Sequence, residues 1–276
     1  MAQRIFTLTI YLFRSLLYSL PGLLYILATL VLWRVLFDPT QGTPELSYYT
    51  LVIGLFGAGV TFLVTLSVAG RAYRAANYPL LARLPSRVEH LTAVLGASLL
   101  FAVLLQLLLA LLALFRGPSL ATVQALEIPP LWLAVDILAA VLALHASDLV
   151  TTGWSRVFLY SLLALFLFGR SLEGGPTSWA AQRAMAAAGW FLGHNLLGFS
   201  DLFMGIGRWL SSAGNSVVDQ LFGLPFWPFE AMTDAIRSGA FTSAQALAPA
   251  ILLLYAAVLF ILAADLFASK DLFLTE

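Results

Sequence analysis

No cysteine occurs in the chain, and only 10% of its 276 residues are charged. The first absence removes thiolate metal sites and thiol catalysis and says nothing about redox compartment. The second argues against a water-soluble fold, because soluble domains carry about 25% charged residues. Lysine is nearly missing as well, since Lys270 stands alone close to the end of the chain. With no lysine behind a glycine-rich turn there is no G-x-x-x-x-G-K-[ST] phosphate loop, and nucleotide hydrolysis by that route is excluded. No H-E-x-x-H helix is present, and His90, His145 and His194 lie too far apart in sequence for a local zinc motif. Ser98 follows Gly96 but lacks a supporting glycine after it, so it reads as small-residue helix packing and not as a nucleophile. Neither a catalytic residue nor a metal nor a cofactor of its own is expected, and the chain does not read as an enzyme. Fourteen basic residues balance fourteen acidic ones, which argues against a nucleic-acid partner.

What the chain has in abundance is apolar surface: 61% hydrophobic residues and a mean hydropathy of +0.93. Crossing the hydrocarbon layer takes about 20 mainly apolar residues as a helix. Uncharged runs from Ser15 to Trp33, Leu46 to Gly70 and Leu91 to Phe115 meet that requirement. Ile128 to Ser147 is apolar apart from Asp136 and His145, Val157 to Gly169 is short but apolar, and Ser238 to Ala264 completes a set of six expected spans. These runs are too long for barrel strands. The expected fold is an all-α integral membrane domain over residues 1–276.

The first 20 residues follow a different pattern. Arg4, Thr7, Tyr11, Arg14 and Tyr18 recur at steps of three and four among Ile5, Phe6, Leu8, Leu12, Phe13, Leu16 and Leu17, as in an amphipathic helix lying along a membrane surface. The competing reading continues this helix into the membrane with Arg14 snorkelling. A signal peptide fits poorly, because Arg14 interrupts the apolar region and no small-residue cleavage pattern follows. Pro21 and Gly22 punctuate the chain before the first span, about Leu23 to Phe37.

Orientation rests on the loop Arg71 to His90, in which four arginines face a single Glu89. Short arginine-rich loops stay cytoplasmic, which would also place the N-terminus, the turn near Gly153 and the C-terminal tail inside. Residues 171–237 hold four of the seven tryptophans among many glycines and prolines. They read as short helices lying in, or re-entering, the outer leaflet, with Ala184 to Ser200 as a seventh span in the alternative.

Titratable and amide groups at membrane depth are candidate functional groups by default, which singles out Gln106, Asp136, His145 and Asp148. On a helix, His145 and Asp148 lie about 60° apart while Asp136 sits nearly opposite His145, so they do not form one polar stripe. Asp136 is expected near the outer surface, Asp148 near the cytoplasmic end and paired with Arg156, and Gln106 in a helix-to-helix hydrogen bond.

The arginine-rich loop has more design than a charge anchor requires. Tyr78, Leu80, Leu81 and Leu84 put bulky apolar groups beside Arg74, Arg83 and Arg87, the composition of a docking surface. The bland alternative is a basic loop lying on lipid headgroups. Pro85 then breaks the chain, and Ser86 with Glu89 fits a capping box opening the third span.

The stretch YPLLARLPSRVEHLTAVLGASLL resembles the segment between the second and third spans in permeases of the type-2 ATP-binding-cassette transporters. That resemblance implies an N-terminal elbow helix over residues 1–20 and a coupling helix within 71–90, with Tyr78, Leu80, Leu81, Arg83, Leu84, Pro85, Arg87 and Glu89 facing a separate cytoplasmic ATPase. It further implies ATP held by that partner alone, a second permease subunit, and a place in a prokaryotic plasma membrane, with export as the expected direction. The alternative function is a non-catalytic membrane scaffold subunit of a larger complex; an intramembrane enzyme using Asp136 or His145 is a weaker third.

Overall fold

The computed structural model describes residues 2–37, 45–73, 86–115, 122–150, 175–212, 227–236, 242 and 245–269, the side chains of 122–127 and 175–180 excepted. Every regular element among them is helical: α1 (Ala2–Leu17), α2 (Leu20–Leu36), α3 (Leu46–Ala72), α4 (Arg87–Leu114), α5 (Thr122–Ala146), α6 (Gly175–Gly193), α7 (Leu197–Ser211), a short helix α8 over 227–236, and α9 (Ala248–Ser269), which a 3₁₀ turn at Gln245–Leu247 precedes. Four helical stretches are long and apolar enough to cross a membrane: α3, α4, α5 from Ile128, and the last from Gln245; α1 and α2 make a fifth if the pair, bent by 71°, is one broken span. The expected span over 157–169 and the turn near Gly153 lie outside the described residues.

The chain divides into two compact units, Met1–Arg156 with Pro228–Glu276, and Val157–Trp227. In the first, α3, α4 and α5 pack on one another, α1 lies against α4, and α9 lies against α5. Early α3 meets late α4 through the Tyr49 hydroxyl, which donates to the Ala110 carbonyl at 3.3 Å, whereas early α3 meets early α5 where Trp132 Nε1 donates to the Thr50 carbonyl at 3.0 Å. Thus α4 runs antiparallel to α3, and α5 runs parallel to it. Hydroxyls inside the helices turn back on their own backbone: Thr50 to Leu46 O, Thr65 to Thr61 O and Ser98 to Val94 O, at 2.7–2.9 Å. This is how a hydroxyl is satisfied where water is absent.

Along α1 the buried and half-buried positions are 5, 8, 9, 10, 12, 13, 16 and 17, while Arg4, Thr7, Tyr11, Arg14 and Tyr18 are exposed, and Phe6 is exposed with them. The polar positions fall on the exposed side as the spacing predicts, whereas of the expected apolar positions Phe6 is exposed and the rest pack on α4. Thr9 seats against Gly96, where a Cβ would come within 3.2 Å of Thr9 Oγ1. Phe13 meets Phe101 edge-on at 5.9 Å.

The bend between α1 and α2 is built from Ser19, Pro21 and Gly22. Ser19 caps α2, its Oγ accepting from Gly22 N at 3.3 Å, and Pro21 occupies the first turn where its missing N–H is harmless. A Cβ at Gly22 would collide with the Leu16 carbonyl oxygen. Only glycine lets the two helices turn this closely.

Two helix starts are informative. Ser86 caps α4 as expected, its Oγ accepting from Val88 N at 3.2 Å. The Glu89 half of the anticipated capping box is not made: Glu89 N bonds the Ser86 carbonyl at 3.2 Å, and Glu89 Oε2 is buried and unbonded. The tightened first turn uses the Glu89 N–H, which a full box would give to Ser86 Oγ. The last helix starts later than Ser238, because a reciprocal capping box stands at Thr242 and Gln245. Thr242 N donates to Gln245 Oε1 at 3.0 Å and Gln245 N to Thr242 Oγ1 at 3.3 Å.

In the second unit α6 and α7 form a helical hairpin. Ala181, Ala184 and Ala188 are buried, and a Cβ at Gly207 would stand 3.3 Å from the Ala181 carbonyl, so small residues set the approach. The seventh-span alternative across Ala184 to Ser200 is overturned. Asn195 adopts φ 60°, Leu196 N bonds Phe191 O at 3.0 Å and Asn195 N bonds Leu192 O at 3.1 Å. That is a Schellman helix end with asparagine in the left-handed position; it ends α6 at Gly193, inside the stretch, and α6 is not among the described helices long and apolar enough to cross a membrane. Trp190 and Trp209 remain 58% and 54% exposed, as interfacial tryptophans do.

Gly22→Ala should destabilise the protein by about 1–3 kcal/mol, the usual cost of overpacking, because the clash is with backbone and not with a movable side-chain end. Thermal unfolding in detergent checks this, with Gly59→Ala, where an added Cβ meets nothing within 4 Å, as a control expected to be near neutral.

Candidate functional site

Two places gather polar side chains in the first unit. One is the end at which α3 finishes and α4 begins, called here the arginine end. The other is a point midway along α3.

At the arginine end Arg71, in the last turn of α3, reaches the α1–α2 bend: Nη1 donates to the Ser15 carbonyl and Nη2 to Ser19 Oγ, each at 2.7 Å. Ser15 belongs to the closing turn of α1, where carbonyls lack helical partners, and the guanidinium fork suits two acceptors at once. Arg87, opening α4, likewise donates to the Phe267 and Ala268 carbonyls at the end of α9, at 3.5 and 3.3 Å. A cation at a helix C-terminus is favourable on electrostatic grounds too. His90 lies beside Phe267, with ring centroids 6.5 Å apart. The two arginines bordering residues 74–85 therefore tie α3 to the bend and α4 to the end of α9.

Of the residues expected to form a coupling surface, Tyr78, Leu80, Leu81, Arg83, Leu84 and Pro85 lie outside the described residues. Arg87 serves the end of α9, and Glu89 is only 4% exposed. Glu89 therefore faces the packed interior at the start of α4 instead of standing on the surface.

Midway along α3 the arrangement is tighter. Gln106 of α4 donates from Nε2 to the Ile53 carbonyl at 3.2 Å, the helix-to-helix bond expected of it. A Cβ at Gly54 would stand 3.1 Å from Trp132 Cδ1; one at Gly57 would collide with the Gln106 amide and lie 2.9 Å from Asp136 Oδ1. Trp132 and Asp136 are one turn apart on α5, and Gly54 and Gly57 nearly one turn apart on α3, so the bare stripe of α3 receives the paired side chains of α5. Asp136 is 0% exposed, and neither carboxyl oxygen has a hydrogen-bonding partner. Its expected place near the outer surface is thus corrected: counting charges along α5 placed it by distance from the helix end, while packing sets it against the middle of α3.

His145 faces elsewhere, its Nε2 sharing a 2.8 Å hydrogen bond with the Leu259 carbonyl of α9. The separation of Asp136 and His145 onto different faces of α5 holds. The expected partner of Asp148, Arg156, lies outside the described residues. Among the described residues no three His, Cys, Asp or Glu side chains group as a metal site. Sequence reasoning missed Arg71 as a clamp, because it was counted as an orienting charge. It also missed Gly57, although the run Gly54, Gly57, Gly59 inside a span is the small-residue signal of close helix approach.

Compared with known proteins, the chain matches no family model, no curated protein and no solved structure. Its function has to be argued from its own residues.

Gly57→Ala should break the Gln106–Ile53 bond and force two buried polar groups aside, costing about 1–3 kcal/mol. Thermal unfolding in detergent would read this, and pairing it with Gln106→Ala in a double-mutant cycle should show strong non-additivity.

Proposed function

We propose that this chain is the membrane-spanning permease subunit of an ATP-driven exporter, working with separate cytoplasmic ATPase subunits of the ATP-binding-cassette type and a second permease subunit in a prokaryotic plasma membrane. In this reading α1 is the elbow helix, the arginine end faces the cytosol, and residues 78–84 dock on the ATPase. The six-span layout is part of the same proposal.

The observation that carries the reading is the fastening of both borders of the docking segment. Arg71 holds its front border to the α1–α2 bend, and Arg87 holds its rear border to the end of α9. A segment that only had to lie on lipid headgroups would need neither clamp. One that must pass a push from a motor into the membrane needs both, because force reaches the spans only through stiff connections. No phosphate-binding loop occurs in the sequence, so ATP-driven transport through this chain would draw on a separate ATPase. The four loop arginines support the cytosolic orientation. Closure of the ATPase pair would then move the docking segment, and α3, α4, the bend and α9 would shift with it.

Two experiments test this. Because the chain has no cysteine, single variants Ala76→Cys and Gln41→Cys report sidedness directly. A membrane-impermeant maleimide should label position 76 only from the cytosolic side and position 41 only from the outside; the reverse pattern would sink the reading. A pulldown from native membranes should recover an ATPase carrying a phosphate-binding loop. The double variant Leu81→Asp, Leu84→Asp should lower that recovery by at least about tenfold, the change that about 1.4 kcal/mol of lost binding produces, with helicity unchanged by circular dichroism. Unaltered recovery, or a wild-type complex with no ATPase, would favour the scaffold role instead.

A further inference from the structure

The carboxyl group of Asp136 is not used by the transporter reading, and it is the least expected group in the bundle. A carboxyl wholly removed from solvent normally meets a counter-charge or several hydrogen-bond donors. Asp136 has 0% exposure and no bond to either oxygen, yet it sits in a span that lipid surrounds on the outside. Intramembrane acids without a structural partner mark proton or ion sites more often than architecture.

The surroundings narrow the ligand. From α3 the carboxyl meets the bare backbone at Gly57, with Oδ1 lying 2.9 Å from the place a Cβ would take. From α4 the Gln106 amide reaches that same place, and its Nε2 has one proton given to Ile53 O and a second still to give. One turn further along α3, toward the arginine end, the Thr61 hydroxyl is also buried and unbonded. None of these groups is charged. Of the other titratable groups on the packed helices, Tyr49 of α3 donates to Ala110 O and His145 of α5 bonds Leu259 O of α9 on the opposite face, while Glu89 and His90, buried with unbonded atoms, stand at the far, arginine end of α4. A metal ion such as sodium would need a shell of several converging oxygens, and one carboxyl beside an amide donor does not make one. A proton needs a single carboxyl oxygen.

We propose that Asp136 is an exchangeable proton-binding site in the interior of the bundle, seated against α3 at Gly57, with the neighbouring Gln106 amide as the positioning residue that its charged form would engage. Binding joins a proton from water to a carboxylate oxygen, and release returns it to water; no other bond changes. Once the proton leaves, a bare charge stands against the α3 backbone. The Gln106 amide must then turn to it, or water must enter between α3, α4 and α5. The proton state of Asp136 and the packing of these three helices are thereby linked. The inference does not rest on the transporter reading and holds for any function of the bundle.

Infrared spectroscopy of the purified full chain in lipid nanodiscs tests it, through the carbonyl stretch of a protonated carboxylic acid. Wild-type protein should show such a band, sensitive to D2O, that declines as pH rises and is absent in Asp136→Asn. In Gln106→Leu the band should persist with a shifted frequency and midpoint. That variant also carries the assignment if Asp136→Asn does not accumulate in folded form. A band that never titrates would mean a permanently neutral structural group and would overturn the proposal. So would the lack of any Asp136-dependent band, or a band that Gln106→Leu leaves unmoved.

Discussion

Inside a lipid layer, helices gain nothing from burying apolar side chains against one another, because the surrounding tails are equally apolar. What holds this bundle is therefore close approach at small residues and hydrogen bonds that cross between helices. Both meet along α3. Gly54 and Gly57 let α5 come near enough for Trp132 and Asp136 to touch backbone. Trp132 then bonds Thr50 O, Gln106 bonds Ile53 O and Tyr49 bonds Ala110 O. Remove the bare stripe on α3 and these links lose their geometry together.

The two ends of this arrangement answer to different physics. At the arginine end, guanidinium groups take carbonyls that helix termini leave without partners. Clamps of this kind suit a boundary where water and headgroups are close. Midway along α3 no such cation stands among the described residues, and the polar groups are amide, hydroxyl and carboxyl. In the proposed exporter, a push applied at the arginine end would travel through α3 and α4, the same two helices that flank Asp136. Under the proposed exporter reading, that gives the docking segment a physical route to the interior. The route is a chain of packed contacts, and its coupling strength is a matter for double-mutant cycles.

Much of the helical layout was legible before any coordinates. The amphipathic stripe of α1 depends only on residue spacing, and its polar positions are exposed where the spacing puts them, although Phe6 among the apolar ones is exposed too. The Ser86 cap and the Gln106 cross-link follow from residue type within a few turns of chain. The Thr242 and Gln245 capping box is equally local, and it marks the start of the last helix more closely than hydropathy, which runs on to Ser238. The stop at Asn195 needed attention to local chemistry, since composition across Ala184 to Ser200 does not reveal a residue in the left-handed conformation.

The candidate site was less legible, for a definite reason. Arg71 and Ser19 are far apart in the chain, as are Gly57, Gln106 and Asp136, and their meeting depends on crossing points set by packing between helices. Sequence by itself determined that the chain is helical and apolar enough for a membrane, that it carries no phosphate-binding loop of its own, and which residues are polar at depth. These are properties of local composition and period. Only the tertiary structure decided that an aspartate expected near the surface stands in the packed interior beside an amide and a bare glycine. Burial at one point of α5 is a property of the neighbouring helices, and a linear pattern does not contain them.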